Sequence, residues 1–96
     1  MILWVLYDIE NDKARNKVAK YCKQAGLYRV QYSVFLGKIN AENRDSLSLQ
    51  IEEEIDEEKD KIYLFTMTKK ELKQCIMLGQ AFDKKITSDE AKALFF

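Results

Sequence analysis

The chain opens on Ile2-Leu3-Trp4-Val5-Leu6-Tyr7-Asp8, an unbroken apolar run that ends on a carboxylate. A strand buried on both faces has continuous apolar sequence, whereas a half-solvated strand alternates. The run is short and bounded by polar residues, which favours a strand over a buried helix. It is expected to be the central strand of a sheet, with Asp8 at its carboxyl end. Sheet proteins often place ligand chemistry at that edge. A turn-forming or helix-capping role for Asp8 is equally open on this stretch alone.

A chain of 96 residues fits one domain. A domain of this size buries only about 60–65% of its unfolded surface, so its core is thin and a second subunit would help it. The chain has no histidine. That removes Ser-His-Asp and Cys-His nucleophiles and His-ligated zinc. Hydrolysis would have to rest on carboxylates with a hard metal, or on Lys, Tyr and Arg. Cys22 and Cys75 form no ligand spacing, and no run is long enough to span a bilayer. No signal-peptide pattern is present, so no membrane association is expected and the cytoplasm is the expected compartment. Charge is uneven. Residues 1–40 carry seven bases against three acids, whereas residues 41–61 carry three bases against nine acids. A basic front and an acidic back allow a polyanion on one face only.

After Asp8, the polar segment Ile9-Glu10-Asn11-Asp12 supplies cap residues for a helix from about Lys13 to Ala25. Ala14, Val18, Tyr21, Cys22 and Ala25 form its buried stripe, and Gly26 is placed to stop it. Lys13, Lys17, Lys20 and Lys23 lie off the stripe, facing water or a partner. Residues 27–39 are strand-like but too long for one strand, so a turn or bulge near Gln31–Ser33 is expected to split them. Arg29 within that run is either an edge charge or an anion contact. Asn40 caps a second helix over about Ala41 to Asp56, whose acidic end is expected to be solvated. Consecutive carboxylates on a helix point in different directions, so this acidic run makes a poor metal site.

Lys61–Met67 makes another strand, Thr68–Lys73 a polar link, and Cys75–Gly79 a short final strand. Thr87 or Ser88 is placed to cap a last helix through Leu94, leaving Phe95 and Phe96 as an apolar end for docking or fold-back. The order is α+β, a ferredoxin-like βαββαβ arrangement with an extra C-terminal strand. Residues 1–79 form the domain, and residues 80–96 a tail. The extra strand needs a neighbour, in its own sheet or in that of a second subunit.

With these elements placed, the chain resembles the CRISPR-associated protein 2 family. The resemblance is carried by Leu6-Tyr7-Asp8-Ile9, by Asn11-Asp12-Lys13-x-Arg15-x-Lys17-Val18-Ala19-Lys20, and by Gly26-Leu27-x-Arg29-Val30-Gln31-x-Ser33-Val34-Phe35-x-Gly37. Asp60-Lys61-Ile62-Tyr63 resembles the family's fourth strand. The match covers roughly the first two-thirds of the chain and says least from Lys69 onward.

The resemblance implies a ferredoxin-like homodimer acting in spacer acquisition. It implies that Asp8 meets its symmetry mate and coordinates Mg2+. A single carboxylate per chain is too few for a divalent oxygen site, and a two-fold axis supplies another. Tyr7, Arg15, Arg29 and Phe35 match family positions near that site. The roles assigned by this resemblance are Arg15 and Arg29 on phosphate oxygens and Phe35 at the interface or in stacking. Two readings follow. The dimer is a magnesium-dependent endonuclease on RNA or DNA, or it is an architectural clamp that binds double-stranded DNA while CRISPR integrase dimers hold the ends. In the clamp, Lys13, Lys17 and Lys20 join the arginines on the DNA backbone. Single-stranded RNA is the other candidate partner. A ferredoxin-like small-ligand sensor is a third reading, and it would need a pocket at the sheet edge.

Overall fold

The computed structural model describes residues 1–95. The element order is β1 (Ile2–Asp8), α1 (Asp12–Gln24), β2 (Tyr28–Gln31), β3 (Val34–Lys38), α2 (Ala41–Glu54), β4 (Lys61–Met67), α3 (Lys69–Gln74) and α4 (Asp89–Phe95). The four strands form one antiparallel sheet in the order β2-β3-β1-β4. This is the expected ferredoxin-like arrangement, with β1 central.

Alternation within β1 divides the core. Leu3, Val5 and Tyr7 point to the helix-covered face and are buried with Val18, Cys22, Phe35, Leu47 and Ile51. Ile2 and Leu36 point to the outer face, where Leu72 and Val30 cover them, together with Met77 and Phe82 from the tail. Trp4 and Leu6 stay half-exposed on that outer face, as do Tyr63 and Phe65 of β4 at 53% and 51%. The continuous apolar run therefore serves two unequal faces, one sealed by α1 and α2 and one only partly covered within the single chain.

Both helix starts follow the cap chemistry. Asn11 accepts the Ala14 N–H at 2.9 Å, and Asn40 accepts the Asn43 N–H at 2.7 Å. Leu27–Ile39 splits at Tyr32–Ser33, as its length requires. Two expectations fail. Thr68–Lys73 is not a polar link: Thr68 and Glu71 make a reciprocal capping box that starts α3. The extra C-terminal strand at Cys75–Gly79 is absent from the described residues. α3 turns the chain away from β4 and carries the segment across the outer face, so it has no ladder partner, and Ile76 and Leu78 are left 86% and 80% exposed. Ser88 accepts the Ala91 N–H at 3.1 Å at the start of α4. The expectation for Phe95 and Phe96 as a docking end rests on side chains outside the described residues.

Candidate functional site

Asp8 is the last residue of β1 and is exposed. Its cross-strand partner is Lys61. Among the described residues, no hydrogen bond or ion pair occupies its carboxylate. The loop that follows is held in place from below. Asp60 accepts the Glu10 N–H at 3.3 Å and the Asp56 N–H at 2.9 Å, tying the β1–α1 loop to the α2–β4 loop.

Arg15, in the first turn of α1, folds back to this loop. Its Nη1 donates to the Ile9 carbonyl at 3.2 Å, and its Nη2 pairs with Asp12. Its side chain stays 40% exposed, next to the chain segment that carries Asp8.

Arg29 is placed by the β2–β3 hairpin, where it is in register with Phe35. Its guanidinium carbon lies 5.0 Å from the centre of the Phe35 ring, a cation–π contact. Tyr7 stacks on the same ring, 6.3 Å from Phe35 at 19°. The Tyr7 hydroxyl donates to the Tyr32 carbonyl at 3.3 Å. Burial pushes that hydroxyl above its ordinary pKa, against the pull of Arg29 beside it. Burial pushes the neighbouring Cys22 thiol up to about 12, again against Arg29, which makes it an inert core side chain. Arg29 has no acidic partner among the described residues, and its Nε is buried without a hydrogen bond. A half-buried cation with an unmet donor is an anion-seeking group.

The lysines separate. Lys13 and Lys20 are exposed on α1 without a partner among the described residues, as expected of side chains off the buried stripe. Lys17 is instead bound to Glu54 of α2 at 3.2 Å, which raises its pKa. Glu54 also accepts the Tyr21 hydroxyl at 3.1 Å. The acidic end of α2 is thus partly a structural clasp between the helices. It borders a cleft of about 590 Å³ that Lys13, Lys17 and Asp60 also line. The structure therefore brings Tyr7, Arg29 and Phe35 together on the helix-covered face and folds Arg15 onto the loop after Asp8, whereas Asp8 itself lies on the outer face and Lys17 is committed to Glu54. Sequence reasoning missed Glu54, Asp12 and Asp60. Only Asp12 left a local sign, its three-residue spacing to Arg15.

Among the described residues, no three His, Cys, Asp or Glu side chains gather to hold a metal. Asp8 is a hard oxygen donor with nothing competing for it, so it suits Mg2+ as one ligand of an incomplete set.

The antiparallel β2-β3-β1-β4 sheet, covered on one face by α1 and α2, places the chain in the class of small ferredoxin-like α+β domains, here with an exposed acid at the end of the central strand. The family model described as CRISPR associated protein Cas2 matches residues 1–75, and the chain belongs to that family. It is 36% identical over 67 residues to the CRISPR-associated endoribonuclease Cas2 1 of Archaeoglobus fulgidus, covering 70% of this chain and 71% of that protein. It is 34% identical over 79 residues to the CRISPR-associated endoribonuclease Cas2 2 of Chloroflexus aurantiacus, covering 82% and 93%. Among solved structures it is similar to Streptococcus pyogenes Cas2 at pH 6.5, with a TM-score of 0.71 and 28% identity, covering 82% of this chain and all of that one. The hypothetical protein TT1823 from Thermus thermophilus gives a TM-score of 0.65 at 28% identity, covering 70% and 80%. No helix among the described residues is long and apolar enough to cross a membrane.

Proposed function

We propose that the chain works in CRISPR adaptation as a homodimer that holds duplex DNA by its backbone while integrase dimers take the ends, and that its paired Asp8 residues support magnesium-dependent phosphodiester cleavage. The observation that carries this reading is an exposed acid at the end of β1 whose carboxylate has no hydrogen bond or ion pair among the described residues.

The dimer is supported by the outer face. Trp4, Leu6, Tyr63 and Phe65 form a patch there that continues to Asp8 and Lys61 through the β1–β4 register. Tyr63 and Phe65 are stacked at 6.0 Å and 6° with their outer surfaces unfilled. A second copy laid on this patch about a two-fold axis would cover the aromatics and bring a second Asp8 towards the first.

Two carboxylates, waters and phosphate oxygens make a suitable set for Mg2+. When bound, the ion lowers the pKa of a coordinated water and polarises a phosphate oxygen. The chain's own side chains do the rest. Asp8 holds the ion, Arg15 and Arg29 take phosphate oxygens, and Tyr7 and Phe35 hold Arg29 in place. Lys13 and Lys20 extend the backbone contacts along α1. The name endoribonuclease carried by the relatives supports a second substrate class, RNA, at the same acid.

The test separates binding from cleavage. Asp8→Ala should leave duplex binding intact and abolish cleavage, as should a chelator. Arg15→Ala with Arg29→Ala should weaken binding. Cleavage that survives chelator, or duplex affinity that does not fall as salt rises, contradicts the proposal.

A further inference from the structure

We propose that the segment from Gln80 to Thr87 is a strap that pins a bulge in β2 and thereby positions Arg29. The inference rests on the reading of Arg29 as a phosphate contact.

Arg29 pairs with Phe35 and Gln31 pairs with Val34, so Val30 is the extra residue between them. A bulged residue drops out of the ladder, and its backbone needs a partner elsewhere. Val30 is fully buried. Its carbonyl accepts the Asp83 N–H at 2.8 Å and the Thr87 hydroxyl at 3.3 Å. The Gln31 side-chain amide donates to the Gln80 and Ala81 carbonyls. Four hydrogen bonds thus join the strap to the bulge, two donated by the strap and two donated by Gln31. Thr87 is itself buried, so its hydroxyl has little access to water in place of Val30.

The strap lies beyond residues 1–75, the part matched by the family model. Arg29 is the residue just before the bulge, and bulges re-aim the side chains beside them. With no carboxylate partner among the described residues, Arg29 is fixed by the backbone it hangs from and by the ring it covers. Thr87 and Gln31 are positioning residues: they act through Val30 and the β2 backbone.

The test uses the full chain. Thr87→Val keeps the side-chain shape and removes the donor, whereas Thr87→Ser keeps the donor. Hydrogen exchange of the Arg29 Nε–H, followed by NMR without nucleic acid, reads how well the buried guanidinium is shielded from water. Loss of one hydrogen bond predicts exchange about tenfold faster in Thr87→Val, with Thr87→Ser close to the parent. Duplex affinity should fall by a similar factor in Thr87→Val and should not fall further when Arg29→Ala is already present. Gln31→Ala removes the other anchor, should show the same pattern, and serves if Thr87→Val does not fold. Unchanged Arg29 exchange in both variants overturns the strap. An affinity loss of equal size in the Arg29→Ala background also overturns it, because the effect then bypasses Arg29. If the parent chain binds no duplex at all, the phosphate reading fails while the exchange measurement still decides the strap.

Discussion

Gly37 lies in β3 where the α1–β2 connection crosses it, and replacing it by alanine is a sharp test of how Arg29 is seated. A methyl group there would come within 2.9 Å of Leu27 Cδ2, 3.0 Å of Leu27 Cα and 3.3 Å of the Gly26 carbonyl. Carbon atoms in good contact lie about 3.5–4.0 Å apart, so the overlap is roughly half an ångström or more. Leu27 Cδ2 can swing away, but Leu27 Cα is backbone and moves only with the loop. Overpacking of this kind costs about 1–3 kcal/mol. For a domain of this size each kcal/mol lowers Tm by about 4–8 °C. Gly37→Ala should therefore melt roughly 5–20 °C below the parent in a thermal scan followed by circular dichroism. Adding Leu27→Ala should not restore it, since the clash with the Leu27 backbone remains. Gly26→Ala meets no atom within 4 Å, but Gly26 has a φ of +88°, so it should cost about 1 kcal/mol through strain alone. Because Leu27 leads directly into the strand of Arg29, Gly37→Ala should also weaken duplex binding. A Gly37→Ala protein that melts with the parent would refute the close-approach argument.

Three further outcomes follow from particular contacts. Lys13→Ala and Lys20→Ala should each reduce the slope of log affinity against log salt by about 0.9, whereas Lys17→Ala, already committed to Glu54, should leave it nearly unchanged. Glu71 accepts the Thr68 N–H at 2.9 Å, and this backbone hydrogen bond holds its carboxyl below the usual range. A depressed folded pKa gives stability that is present above the unfolded value and is lost as pH falls through the folded one, so α3 should loosen in acid. Glu71→Gln should remove that pH dependence in amide exchange over α3. A thiol reagent at neutral pH should modify exposed Cys75 and spare buried Cys22 until the protein is unfolded.

The central strand, both long helices and the split hairpin were legible because each has a local cause: a continuous apolar run, an Asn cap, or excess strand length. The Thr68-x-x-Glu71 cap is equally local, but the polar segment around it hides the helix. The fate of Cys75–Gly79 was not legible. A short apolar run ending at a glycine suggests an extended chain but carries no information about a ladder partner. Lys17 looked like its neighbours on α1 because Glu54 reaches it only through helix packing. Arg29 could be named from the sequence, but its place over Phe35 depends on a bulged register, and its hold on that place on a tail far along the chain.

The proposed dimer shares one divalent ion between two Asp8 carboxylates. Manganese, used as a paramagnetic stand-in for magnesium, can be counted by electron paramagnetic resonance against protein concentration. The prediction is one bound ion for every two chains, lost in Asp8→Asn while the dimer persists. One ion per chain, or binding that survives Asp8→Asn, would contradict it.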